Sequence, residues 1–280
     1  MTPARIRKLA WHALVLAILV VMLYPLVWML ASSLKPSREI VTSIALIPRT
    51  WEWANYAAAL EPRVGVPVWR FFLNTTLIAG GAVVGNVITC SLAAYAFARL
   101  RFRLRTPMFV FMLATIMLPY HVVLIPQYTI FQQLGMVDTF WPLVLPKFLA
   151  TDAFFVFLMV QFVRQLPQDL DEAARIDGCG PLRIFTLVIL PLLRPALITT
   201  AIFTFIWTWN DFFQQLIYLS SPDNYTLPLA LRLFVDTQES VANFGPMFAL
   251  SVLSMLPVLL FFAAFQRYLI DGMATSGLKG

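Results

Sequence analysis

The sequence predicts an all-α, polytopic membrane protein with six transmembrane helices, and three observations carry that prediction. Of 280 residues, 60% are apolar and 12% charged, against about 25% charged in an ordinary soluble domain. The apolar residues gather in long runs, most of them near the ~20 residues that cross a hydrocarbon layer as a helix. Apart from Arg194, the basic residues behind the net charge of +6 fall outside these runs. That placement suits topology-setting better than phosphate binding, and no nucleic-acid partner is expected.

The first helix is expected over 1–33. Arg5, Arg7 and Lys8 precede an apolar stretch from Trp11 to Ala31, longer than the roughly 7–15 residues of a signal-peptide core. The more polar stretch 34–70 carries Trp51, Trp53, Tyr56 and Trp69, residues suited to a membrane–water interface, and is expected as an external loop. A five-helix core is expected over 71–266. Its runs are Phe71–Ala98, Thr106–Val137, Ala153–Val163, Ile184–Trp209 and Phe244–Gln266. The run at Ala153 is short, and a start before Asp152 is left open.

Charge sets the orientation. Arg99, Arg101, Arg103 and Arg105 crowd one short turn between two runs, which the positive-inside rule assigns to the cytoplasm. Both termini then face the cytoplasm, with a tail over 267–280. Prolines inside the runs, among them Pro119, Pro126, Pro191 and Pro195, predict kinked helices, either as curved packing or as walls around a path. Cys90 and Cys179 give no disulfide framework.

The most informative segment lies in the cytoplasmic loop 164–183. Pro167 suits the first position of a helix. Asp169, Asp171 and Glu172 suit the positive end of its dipole, and Gly178 suits its left-handed end. The helix so predicted has about 11 residues, too short to span. Leu170, Ala173 and Ala174 are expected on one small apolar stripe, with Glu172, Arg175 and Asp177 beside it as orienting charges. A docking key for another protein and a connector lying in the lipid interface are the two readings. Four acids argue against the second.

Glu172-Ala173-Ala174 with Gly178, Val188 and Leu190-Pro191 at their spacing resembles the signature loop of ABC-importer permeases. Val188 stands where the family form has Ile. The six runs, the Trp209-Asn210-Asp211 end of one span and the closing Gly277-Leu278-Lys279-Gly280 resemble the smaller permease of maltose-type carbohydrate importers over nearly the full length. The resemblance implies a type I permease bundle in the cell membrane. It implies that Glu172, Ala173, Ala174 and Gly178 form a coupling helix seated on an ATPase subunit, and that the tail Gly277–Gly280 reaches between two copies of that ATPase. It further implies a second, homologous permease and an external solute-binding protein met by the loop from Ser220, including Pro222, Asp223, Asn224 and Tyr225.

No Gly-x-x-x-x-Gly-Lys-Ser/Thr loop is present, so ATP and Mg are expected on the partner ATPase and no catalysis in this chain. His12 and His121 lie on different runs, and no metal-ligand or nucleophile pattern surrounds them. Intramembrane polar residues are the candidates for a translocation path: Asn86, Tyr120, His121, Trp209, Asn210 and Asp211. For Asn86 and His121 the alternative is a structural hydrogen bond within the bundle. A secondary transporter driven by an ion gradient is the competing class, and it predicts buried charges that these runs nearly lack. The expected solute is a sugar or a relative of one: a polyol, an amino sugar or a glycerol phosphate ester.

Overall fold

The computed structural model describes residues 3–235 and 243–277. Among them the regular structure is helical, apart from an isolated bridge between Arg63 and Val66. In chain order the helices are α1 (Pro3–Ser32), α2 (Ser37–Thr42), α3 (Ala54–Ala59), α4 (Val68–Arg99), α5 (Arg105–Thr115), α6 (Tyr120–Gln133), α7 (Trp141–Val144) and α8 (Ala153–Gln165). There follow α9 (Asp169–Ile176), α10 (Pro181–Ile184), α11 (Leu190–Leu192), α12 (Arg194–Trp209), α13 (Phe213–Tyr218), α14 (Leu227–Arg232) and α15 (Phe244–Gly277).

Four stretches are long and apolar enough to cross a membrane: Arg7–Ser32, Val68–Arg99, Trp141–Gln165 and Phe244–Gln266. Two bent pairs bring the number to 6, namely Arg105–Thr115 with Tyr120–Gln133 and Pro181–Leu192 with Arg194–Trp209. Each predicted run falls on one of these.

Two runs expected as single spans are broken. The run at Thr106 turns by 104° between α5 and α6. Pro119 has an extended backbone, with φ −59° and ψ 125°, and its ring disfavours helix at Leu118. The run at Ile184 turns by 76° at Leu193, between two prolines that each remove an amide donor. One π turn, Phe185–Ile189, precedes that break. The short run at Ala153 does start before Asp152: α7 and a 3₁₀ turn over Leu145–Leu149 extend it. The joint is Ala150, which takes a left-handed φ of 54°.

The chain divides into two compact units. Met1–Trp69 with Ala230–Leu256 forms one; Arg70–Leu229 with Pro257–Gly280 forms the other. In the first, the Asn55 side-chain amide donates to the Ser33 and Lys35 carbonyls at 3.0 and 2.9 Å, tying α3 to the end of α1. Trp28 meets Phe248 edge-on at 5.3 Å.

In the second unit, lipid offers helices no hydrophobic gain from mutual contact, so close packing of small residues takes over. A Cβ at Gly81 would stand 3.0 Å from Val144 Cγ1, and one at Gly85 would stand 2.9 Å from Phe148 Cδ2. These two glycines, four apart on α4, let the 144–148 turn approach the helix backbone. Deeper in the same unit, Ala94, Tyr95 and Ala98 of α4 share a core with Val156, Met159 and Val163 of α8, Ala174 of α9 and Phe185.

Candidate functional site

The segment predicted as a docking key forms α9, but over 8 residues instead of about 11. It begins at Asp169 because Leu166, ahead of Pro167, is held extended at φ −74° and ψ 138°. Gly178 ends it at φ 80°, and the Cys179 amide reaches back to the Ala174 carbonyl at 2.9 Å, as helix C-termini commonly do. The apolar stripe is divided. Ala174 turns inward with Asp171, while Leu170 and Ala173 face outward. Packing against α4 selects the narrow side of Asp171 and Ala174, three residues apart on one face. The outward face therefore carries Glu172, Ala173 and Ile176, the last 87% exposed. Arg175, Asp177 and Gly178 are exposed as well. Among the described residues Glu172, Arg175 and Asp177 form no ion pair.

Asp171 pairs instead with Arg99, the last residue of α4, with Nε 3.0 Å from Oδ2. The Arg99 Nη2 also donates to the Leu166 carbonyl at 2.7 Å.

A second place gathers most of the predicted path residues. An open cavity of ≈ 420 Å³ is lined by Tyr120 and His121 from the first turn of α6, and by Asn210 and Asp211 after α12. Ile78, Leu143, Lys147, Trp207, Phe213, Gln214 and Gln215 also line it. The break before Pro119 is what places Tyr120 and His121 at a helix start. His121 stacks edge-on with Phe213 at 5.0 Å. Asp211 Oδ1 accepts the Gln214 amide at 3.2 Å.

The other two candidates lie apart from this cavity. Trp209 is 3% exposed and stacks on Phe205, whereas Trp207 is 53% exposed, lines the cavity and packs its ring against Phe154, Phe155 and Phe203. Asn86 is fully buried. Its amide donates to Asp152 Oδ2 at 2.5 Å and to Thr204 Oγ1 at 3.1 Å. Asp152 in turn holds Lys147, with Nζ 2.9 Å from Oδ2. Lys147 and Asp152 were readable as charges beside an apolar run, yet only the joint at Ala150 brings them together.

A third place is the loop 220–226. Asp138, in the left-handed region at φ 62°, accepts the Ser220 and Ser221 amides at 2.9 Å each and the Ser221 hydroxyl. Burial pushes the Asp138 pKa up, but these hydrogen bonds outweigh it and the net direction is downward. From the other side, the Asn74 amide donates to the Asp223 and Tyr225 carbonyls at 2.9 and 2.8 Å. Arg70 pairs with Asp223 at 2.7 Å. That pair is half exposed and adds at most about 1 kcal/mol, so the buried Asn74 amide is the stronger hold. Pro222 to Asn224 make a 3₁₀ turn between these anchors. Of the expected tail contacts, Gly277 is the last residue of α15; Leu278, Lys279 and Gly280 lie outside the described residues.

Residues 85–275 match the family described as the binding-protein-dependent transport system inner membrane component. The chain belongs to that family. It is 32% identical to the diacetylchitobiose uptake system permease protein of Streptomyces coelicolor, over 95% of this chain and 87% of that one. It is 33% identical to the arabinooligosaccharides transport system permease protein of Halalkalibacterium halodurans, over 92% and 91%. With the trehalose/maltose transport system permease protein of Thermococcus litoralis it shares 31% over 93% of each. Its fold matches a chain of a bacterial ABC transporter that imports the acidic polysaccharide alginate, at a TM-score of 0.84 and 23% identity, over 96% and 98%.

As a binding-protein-dependent transport permease, the chain is a multi-pass component of the cell membrane. Permeases of this class work with a substrate-binding protein and a separate ATPase.

Proposed function

We propose that this permease is one of two homologous halves of an ATP-driven importer for a sugar or sugar derivative. The saccharides named for its relatives support that solute class. The cavity supports it chemically: a lining that combines Tyr120, His121 and Trp207 with Asn210, Asp211 and Gln214 suits a hydroxyl-rich solute that stacks and hydrogen-bonds. In this reading two copies of an ABC ATPase bind ATP and Mg, and one of them takes the outward face of α9 at Glu172, Ala173 and Ile176. The loop from Pro222 to Tyr225 meets the external solute-binding protein, and the tail from Gly277 reaches the ATPase pair.

The observation that carries the reading is the two-faced α9. One face is locked to the bundle by Asp171 and Ala174, and the other is left open with Glu172 at its centre. ATP binding closes the ATPase dimer and displaces α9. Because α9 joins α8 to the α10–α12 span, the displacement moves both and reverses the opening of the cavity. Coupling of this kind needs different contacts at each site in two global states.

Uptake by whole cells tests the proposal. Glu172→Lys and Gly178→Asp are expected to abolish uptake and solute-stimulated ATP hydrolysis while the protein stays in the membrane. Normal uptake by both variants would reject it.

A further inference from the structure

We infer that Arg99 and Asp171 lock α4 to α9, so that α4 moves with the coupling helix as one body. The inference rests on the coupling role proposed above for α9, and it adds α4, which no short chain connection joins to that helix.

The two side chains are 5% and 4% exposed, with Arg99 Nε 3.0 Å from Asp171 Oδ2. One guanidinium reaches three acceptors on a short stretch: Asp171, the Leu166 carbonyl at 2.7 Å and the Pro167 carbonyl at 3.4 Å. It therefore closes the C-terminal end of α8, where a cation is favoured, and the first turn of α9 together. Stability alone does not explain the pair. A buried ion pair repays its desolvation only when the remaining polar atoms are bonded, and Asp171 Oδ1 has no hydrogen-bond partner among the described residues. The Nε–Oδ2 approach is itself of ion-pair length without hydrogen-bond alignment. What the pair supplies is register. Apolar contacts such as those of Ala174 allow sliding, whereas a charge held in a dry site against one partner does not.

The lock leads to the cavity. On α4, the Asn86 amide holds Asp152, and the Thr89 hydroxyl donates to the Lys147 carbonyl at 2.9 Å. Lys147 lines the cavity. A push on α9 thus reaches the cavity wall through Arg99, α4 and the 147–152 joint, in parallel with the route through α8 and α12.

The test uses the whole importer, with its partner permease and ATPase, in lipid nanodiscs. Spin labels stand at Arg101→Cys and Leu170→Cys in a Cys179→Ser background, Leu170 being an exposed α9 position outside the face assigned to the ATPase. Their separation is measured without nucleotide and after trapping with ATP and vanadate. The lock predicts one unchanged separation in both states. Asp171→Asn is expected to make the separation change on trapping and to lower binding-protein-stimulated ATP hydrolysis about tenfold. Asp171→Glu is expected to restore both. Should Asp171→Asn fail to assemble, Arg99→Gln, which removes the cation, is read in the same way. A state-dependent separation in the unaltered protein, or an unchanged one in Asp171→Asn, would overturn the inference. A second pair, from Leu170→Cys to a label on the ATPase, reports on docking. If that pair finds no proximity, the coupling role of α9 fails independently of the lock.

Discussion

The carboxylate of Asp138 accepts both the amide and the hydroxyl of Ser221, 83 residues further along the chain. One left-handed residue thereby fixes the start of the loop proposed to meet the binding protein. Asp138→Gly keeps the backbone conformation and loses the acceptor, a cost of about 1–3 kcal/mol. Asp138→Ala adds a left-handed penalty of about 1–2 kcal/mol. Hydrogen exchange at Ser220 and Ser221 is expected to quicken in both, more in the alanine variant. Affinity for the binding protein is expected to fall in the same order.

The same clamp has a defined pH response. Its carboxyl pKa is lowered on folding, so its contribution is complete above the unfolded value. It is lost only as pH falls through the folded value, beneath the ordinary aspartate value of about 3.9. Protection of the Ser220 and Ser221 amides, corrected for intrinsic exchange, is expected to stay level from pH 8 to pH 5. A loss of protection between pH 7 and pH 5 would contradict the hydrogen-bond assignment.

Gly80 and Gly85 offer a paired test of the packing of α4. Nothing stands within 4 Å of a Cβ built at Gly80, whereas Gly85 faces the Phe148 ring at 2.9 Å and the Lys147 carbonyl carbon at 3.0 Å. Gly85→Ala is expected to destabilise the purified permease by about 1–3 kcal/mol. Gly80→Ala is expected to be neutral or to stabilise it by about 0.5–1 kcal/mol. Thermal unfolding in detergent reads both.

The cavity separates two neighbouring tryptophans. Trp207→Ala and Asp211→Asn are expected to lower uptake at least about tenfold while leaving co-purification of the ATPase unchanged. Trp209→Ala, which removes a buried ring stacked on Phe205, is expected to reduce the amount of folded permease instead. Quantitative uptake beside membrane abundance distinguishes these outcomes.

Long apolar runs are readable from any window of about 20 residues, so the span count and the short α9 followed directly from the sequence. The breaks were less accessible. Pro119, Pro126, Pro191 and Pro195 all promise distortion, yet Pro126 stays inside α6 while the chain turns at Pro119. Local propensity does not say which proline finds partners for the carbonyls it frees. Along α9 the acids suggested a helix dipole effect, and the helical period could not say that Asp171 turns inward. Its partner Arg99 lies beyond the reach of local pattern. Gly81 and Gly85 carried a packing signal in their four-residue spacing that can be recognised once the 144–148 turn is seen against them. Tyr120, His121, Asn210 and Asp211 were each legible as polar residues in or beside apolar runs. Lys147 and Gln214 joined them only through the fold.

The central claim is that the open face of α9 lies in the cytoplasm, within reach of a motor made of other chains. A permease with Ile176→Cys as its accessible thiol, after replacement of Cys179 and produced without the ATPase that would cover it, allows that face to be located with a membrane-impermeant maleimide. Labelling only after the membrane is opened is the result predicted here. Rapid labelling of Ile176→Cys in intact, sealed cells would place the face outside and contradict the account.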